Sequence, residues 1–534
     1  MSKPRYWKGI EELEQSPAFL AAAKKEFPTD ISIEDALAKT KDEDMNLSAN
    51  RRDFLKMLGF GVTAATLAAC ETPIKKAIPY LNKPDDVIPG VANYYSSTCG
   101  TTGVPIVVKT REGRPIKVDG NPDSKLTKGG LTALGQAVLL DLYDAERLES
   151  PKKGANSTSW ESLDSAVANQ LADIIAAGGQ VRVVSRSVSG PAAQSVISRF
   201  LAQFGANGKQ VVYDTQSVSA IARAHEINFG KKAVPSYRMD KAEVIAAFNA
   251  DFLGTWLSPE TFSWQYIQNR DPEKKKMSRH FQVESLMSLT GSNADLRFPI
   301  NPSQEGAALL VLHNKIAQRM GKPSLQGAPQ YEVAMNGLEK IAAELVNAQG
   351  KSLVISGTNN VAIQQVVNAI NFMLGNYGST VDLDNPMSHR LGDDAALEAF
   401  VGELERGAID AVLFYDTNPV YDTPYGEAIA AALPKAKLSV AFAIKANETS
   451  VLSTWTAPIP HSLESWGDNS HVAGHYSITQ PTINPLFDTR QGEDTLLKWS
   501  GNTGTYADYL ESYWKENFFP LQSQYADADL FWTE

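Results

Sequence analysis

Arg111-Glu112-Gly113-Arg114-Pro115-Ile116-Lys117-Val118-Asp119-Gly120-Asn121-Pro122 is followed closely by Gly135-Gln136-Ala137 and by Leu142-Tyr143-Asp144-Ala145-Glu146-Arg147-Leu148. Residue by residue, this is a β-hairpin and then a helix. Val104–Lys109 and Pro115–Val118 have strand composition, Arg111–Arg114 is a hairpin turn, and Gly113 and Gly120-Asn121-Pro122 make tight turns. From Trp160 the pattern becomes an alternation of helices and strands. Helical spacing over Glu161–Ala177 and Ala192–Phe204 is interleaved with strands at Val181–Val184, Val211–Tyr213 and Val244–Phe248. A second block has strands at Leu353–Gly357, Thr380–Leu383, Ala411–Tyr415 and Ser439–Ala443, with a helix over Ala362–Leu374. Such alternation predicts two doubly wound α/β domains, each a parallel sheet with helices on both faces.

Upstream, Asn50-Arg51-Arg52-Asp53-Phe54-Leu55-Lys56 leads into a weakly apolar run closed by Leu67-Ala68-Ala69-Cys70. Paired arginines, Phe-Leu-Lys and a short soft segment form a twin-arginine export signal. The signal residues are Arg51, Arg52, Phe54, Leu55 and Lys56, and Cys70 closes a lipobox-like end as the lipidation candidate. The expected address is the periplasmic side of the bacterial inner membrane, with the membrane reached through lipidated Cys70. No segment after residue 70 is apolar for the ~20 residues a membrane span needs.

At 534 residues the chain exceeds one hydrophobic core. The expected divisions are an extended leader (1–49), the signal (50–70), a Pro-rich linker (71–94) and a small β-rich domain (95–159). A first α/β domain (160–345, with an insertion near 269–302), a second (346–500) and a tail (501–534) complete the chain. A formal charge of -11 and a pI near 5.3 argue against a nucleic-acid partner, whose binders carry basic patches. There are two cysteines, Cys70 and Cys99, whereas an iron–sulfur cluster takes four.

The opening motifs, in their order, resemble the first domain of the molybdopterin oxidoreductase (DMSO reductase) superfamily. Asp416-Thr417-Asn418-Pro419, Asn447-Glu448-Thr449 and Ala457-Pro458-Ile459-Pro460 extend the resemblance. So do His461–Asp468, Gly474-His475-Tyr476-Ser477, Gln480-Pro481 and Asn484–Arg490, a run similar to the polysulfide-reductase-like branch. The resemblance covers roughly residues 95 to 500. It implies a multi-domain fold with a small β-rich amino-terminal domain.

Three departures change what the resemblance implies. Only Cys99 stands where relatives carry a cysteine motif. Thr132 occupies the place of the fourth cysteine, and Leu134 that of a lysine between cluster and pterin. Counting back from Phe229-Gly230 puts Ser217 at the molybdenum-ligand position, where a helix-capping role competes with a vestigial ligand role. Together these features most resemble the large subunit of alternative complex III, a quinol-oxidising respiratory assembly. That resemblance implies a cofactor-free, molybdoenzyme-like scaffold with no catalytic residue of its own. The implied partners are an integral quinol-binding subunit, a multihaem cytochrome c and a cluster-bearing half. The sequence stops at Phe531-Trp532-Thr533-Glu534 without that cysteine-rich half, which is expected in a longer form of this chain or on a separate polypeptide. The competing reading is an active bis-molybdopterin guanine dinucleotide enzyme using Ser217.

Other groupings carry less. His461, Glu464, Asp468, His471 and His475 lie close in sequence but match no zinc spacing, so structural hydrogen bonding or a partner surface is expected. Asp85-Asp86 and Asp393-Asp394 are expected to be solvated, and Lys274-Lys275-Lys276 to be a surface charge run. Gly357-Thr358-Asn359-Asn360 lacks the glycine spacing of a dinucleotide fingerprint and reads as a loop. His225 and His280 receive no role.

Overall fold

Val181–Ser185, Ala411–Tyr415 and Leu438–Ala443 are near-continuous apolar runs, and such runs fit strands covered on both faces. A computed structural model of the chain describes residues 88, 90–273, 277–327 and 337–533. The export signal, Cys70, Asp85, Asp86 and Lys274–Lys276 lie outside the described residues.

The strands begin with β1 (Ala92–Thr98), β2 (Pro105–Arg111), β3 (Arg114–Gly120), β4 (Lys152–Lys153), β5 (Asn156–Ser157) and β6 (Val181–Ser185). Next are β7 (Gly208–Val212), β8 (Val234–Tyr237), β9 (Val244–Phe248), β10 (Arg279–Glu284), β11 (Leu296–Pro299) and β12 (Ser352–Ser356). Last come β13 (Val381–Met387), β14 (Ala411–Tyr415), β15 (Leu438–Ala443), β16 (Trp455–Pro458), β17 (Gly467–Val472) and β18 (His475–Thr479).

They form four sheets, ordered β1-β2-β3, β11-β10-β9-β12, β18-β17-β13-β8 and β5-β4-β16-β15-β14-β6-β7. In the largest, β7, β6, β14, β15 and β16 are parallel. One face is covered by the helix Trp160–Ala176, capped by Ser159 and burying Leu163, Val167, Leu171 and Ile174, and by Pro191–Ala202. Leu397, Phe400, Val401 and Leu404 of the helix Asp394–Glu405 pack on the other. Each fully buried Leu, Val or Phe contributes roughly 1.5–3 kcal/mol, so these two layers hold the sheet together. The all-parallel β11-β10-β9-β12 sheet has its own core around Phe281, Leu309, Leu312, Ile341 and Leu345.

Three expectations need correction. The sheets do not divide at residue 345, because β6 and β7 share a sheet with β14, β15 and β16. Parallel neighbours need only a crossover, and here the crossover from β7 to β14 contains the whole second sheet. The segment 269–302 is not an insertion, since it supplies β10 and β11. Thr380–Leu383 does not join a parallel sheet: β13 runs antiparallel to β8 and β17. A short apolar run identifies a strand but not its partner.

The opening hairpin is as expected. β2 and β3 pair antiparallel around Glu112-Gly113. Gly120 is required by close approach, for a Cβ there would lie 2.3 Å from the Gly129 carbonyl oxygen. Edge strand β1, which the sequence pattern did not single out, completes that sheet.

Candidate functional site

In both parallel sheets the connections leave in opposite directions from one point: between β6 and β14 in the larger, between β9 and β12 in the smaller. Open α/β sheets bind ligands in the crevice beyond the carboxyl ends of strands at such switch points. Here Arg186–Ser189 follow β6, Asp214–Gln216 follow β7, and Tyr415 and Asp416 end β14. With Gly254, Thr255 and Leu257 after β9, they line a cavity of about 590 Å³. Gly100–Gly103, Thr132–Leu134, Glu260, His389, Arg390 and Asn469 complete its wall.

The wall is largely bonded to itself. Arg186 donates to the Asp416 carboxylate at 2.7 Å and to its carbonyl at 3.1 Å, both side chains being about half exposed. Asp416 adopts φ +48°, unusual for a side chain other than glycine. Asp214 accepts from Ser187 N, Ser187 Oγ and Gly392 N. His389 stacks on His471, centroids 3.8 Å apart and 9° from parallel. Its Nδ1 faces the His471 carbonyl at 3.0 Å, and His471 Nε2 meets Ser258 Oγ at 2.6 Å. Burial holds the His389 pKa down at about 4 and that of His471 well below its ordinary value, so both rings are neutral at pH 7.

The positions singled out by sequence behave as structural groups. Thr132 caps the helix Ala133–Leu142, accepting from Gly135 N and donating to buried Glu260 at 2.8 Å. Cys99 is buried among Val104, Ile106, Val108 and Val118. Leu134 is exposed at the cavity mouth. Ser217 Oγ accepts from Ser219 N at 3.2 Å, a local turn that opens the helix Ser219–Phe229. An iron–sulfur cluster does not fit this donor set: the one cysteine among the described residues faces a hydrocarbon core, and Thr132 cannot supply a thiolate.

The carboxy-terminal motif residues converge elsewhere. Arg147 and Glu464 form a buried ion pair, Nη2 to Oε2 at 2.5 Å and Nη1 to Oε1 at 3.1 Å. Glu464 also accepts from His461 N and Leu486 N, and the Arg147 guanidinium lies over the Phe487 ring at 5.1 Å. Arg490 holds Asp164 bidentately and stacks on Trp160 at 4.0 Å. Asn418 accepts from Thr449 N and Oγ1 and donates to Glu448, so those two motifs are bonded directly.

The five acid and histidine residues of 461–475 are dispersed. His461 bonds the Val138 carbonyl, Asp468 accepts from Ala192 N and Trp514 Nε1, and His475 lies exposed on β18. No group of three or more His, Cys, Asp and Glu among the described residues is placed to hold a metal ion. Asp393 and Asp394 are not simply solvated. The first caps a helix and pairs with Lys232, and the second accepts from Ser219 and Asn359. In the loop after β12, a Cβ on Gly357 would lie 2.3 Å from the Asn249 carbonyl oxygen, and Asn359 accepts from Ala220 N. His225 and His280 do have partners, Ile221 and Tyr377 for the first, Tyr266 and Gln282 for the second. Of the cavity residues that motif reading missed, Arg186 and Asp214 carried one usable signal, and His389 and Arg390 none. Arg186 and Asp214 sit one or two positions beyond apolar runs at the switch-point end of the sheet.

No protein-family model matches the chain. It is 26% identical over 520 residues to the menaquinone reductase, molybdopterin-binding-like subunit, of Nitratidesulfovibrio vulgaris, covering 86% of this chain and 72% of the relative. Its structure superposes on acetylene hydratase from Pelobacter acetylenicus with a TM-score of 0.58 at 11% identity, covering 76% of this chain and 69% of that one. The two chains share one multi-domain α/β fold.

Proposed function

We propose that this chain, a molybdopterin oxidoreductase-like protein, is a scaffold subunit of a quinone-linked respiratory oxidoreductase and carries no redox cofactor of its own. The observation that carries this reading is the state of the switch-point cavity. The shell has the site's shape, but the two ligand positions are bonded into the fold, Thr132 to Glu260 and the helix and Ser217 to Ser219, and in the wall Arg186 is paired with Asp416. The charge of the wall supports it. Asp214, Glu260 and Asp416 oppose Arg186 and Arg390, and His389 is neutral, a poor lining for the pyrophosphates of a pterin dinucleotide. The relative's name supports the quinone link.

In this reading the chain's contribution to turnover is geometric. It fixes the distances between subunits that hold the quinone site, the haems and the clusters, while those cofactors do the electron chemistry. Membership of alternative complex III is the specific assembly proposed. Export by Arg51-Arg52 and lipidation at Cys70 on the periplasmic face are part of the same proposal, as are an integral quinol-binding subunit, a multihaem cytochrome c and a cluster-bearing half as partners.

Molybdenum, tungsten and extractable pterin in the purified complex test the reading. Substoichiometric metal and no pterin are expected. One equivalent of either metal with a pterin overturns it and establishes the bis-molybdopterin enzyme instead. Mass spectrometry of the mature amino terminus, with a diacylglycerol-modified Cys70 expected and an unmodified one fatal, tests the anchor.

A further inference from the structure

The short helix Glu448–Leu452 is inside out. Its polar members Thr449 and Ser450 are buried and hydrogen-bonded, while Val451 is 70% exposed and Leu452 47%. The adjoining turn Pro419–Asp422 adds an exposed aromatic, with Tyr421 74% exposed. Asn418, Tyr421, Lys445, Glu448, Val451 and Leu452 line one shallow hollow. Lys445 reaches from that hollow to Asp144 at 3.2 Å and Asp141 at 3.8 Å, at the end of the helix Ala133–Leu142. That helix is apolar nearly all round, which is the composition of a helix covered on every side, yet Leu140 is 73% exposed. This hollow shares Asn418, Lys445 and Asn447 with a neighbouring one, and the joint surface is apolar around Tyr421, Val451 and Leu452 and acidic at its edge, where Asp141, Asp144, Asp416, Asp422 and Glu448 outnumber Lys445, Arg186 and the buried, paired Arg147.

We infer that this surface is the seat of a protein partner that presents an apolar projection ringed by lysine and arginine. Outward-turned apolar side chains on a helix whose polar residues face in are expected where another chain covers them. The acidic rim selects the class of partner. Opposed to a second copy of this chain, which carries a net charge of -11, or to an anionic lipid surface, it is repelled; opposed to a basic rim it is attracted and oriented. The inference rests on the subunit reading above and adds which face is docked and by what chemistry. It is separable from the cofactor question, which metal and pterin content decide.

The test is photo-crosslinking in native membranes. The full chain carries a benzophenone amino acid in place of Tyr421 or, as a control, in place of Phe372, an exposed aromatic outside this surface. From position 421, a product with a different polypeptide is expected, its crosslinked peptide flanked by Lys or Arg. Its yield should fall about fivefold between low salt and roughly 0.5 M NaCl. Glu448→Lys and, separately, Val451→Ser in the same chain should each lower the yield several-fold with the melting temperature unchanged. Products with a second copy or with lipid, a yield no greater than from position 372, or insensitivity to salt and to Glu448→Lys each overturn the inference. If other subunits still co-purify in those cases, the scaffold reading stands and only the assigned face is wrong.

Discussion

The knot around Arg147 and Glu464 and the cavity between the switch points differ in how firmly their polar side chains are held. In the knot both carboxylate oxygens accept two hydrogen bonds each, the pair is fully buried, and three distant segments meet on it: Leu142–Leu148, His461–Asp468 and Asn484–Arg490. In the cavity wall, the Arg186–Asp416 pair is half exposed and the Thr132 hydroxyl caps its helix and reaches Glu260, while Ser217, next in sequence to the lining residue Gln216, closes a local turn. Polar residues that join segments are held from several sides. Those at the cavity make only one or two side-chain bonds each and stay partly exposed.

Breaking the knot should have the largest effect. Glu464→Gln leaves a buried guanidinium without its counter-charge, and a loss of about 3–5 kcal/mol in chemical denaturation is expected. A loss below about 1 kcal/mol would show that the knot does not hold the segments together. The stacked imidazoles sharpen the contrast through pH. Above the ordinary histidine value near 6.5 the His389 ring is neutral folded or unfolded. As pH falls from there towards its folded value of about 4, the unfolded chain binds a proton the folded chain refuses. Through His389 alone stability should drop by roughly 3 kcal/mol over that window, so His389→Asn should make that limb of the stability–pH curve shallower, with buried His280 and His471 still contributing. Superimposable acid limbs would refute the neutral assignment.

Substitutions at and beside the cavity should cost less. Thr132→Ala removes a helix cap and the hydrogen bond to Glu260, and about 1–2 kcal/mol is expected by thermal denaturation. Ser217→Ala removes a single local acceptor and should cost about 0.5 kcal/mol or less, with the metal content of the complex unaltered. A fall in bound molybdenum on Ser217→Ala would erase the difference between the two regions.

Strand and helix positions were legible because burial on both faces writes itself as Val-Arg-Val-Val or Ala-Val-Leu-Phe-Tyr, and helices such as Trp160–Ala176 keep their Leu and Val at helical spacing. Which strands share a sheet was not. Nothing in Val181–Ser185 says that its neighbour is Ala411–Tyr415, since pairing is decided by packing across 230 positions of chain. The structural fates of Thr132 and Ser217 were half legible. Their residue type excluded a thiolate, but the Glu260 partner is brought in from another domain layer. His389 and Arg390 had no local pattern to mark them, and the stacking on His471 exists only in three dimensions.

The interleaved seven-stranded sheet has a consequence for how the chain can be made. A ribosome that has released only the first 345 residues leaves β6 with β7 on one side and an open row of amide and carbonyl groups on the other, until β14 is synthesised. Such an edge invites pairing with another nascent copy. Expression of residues 90–345 alone should therefore yield insoluble material, and supplying 346–533 in the same cell should rescue it by closing the gap.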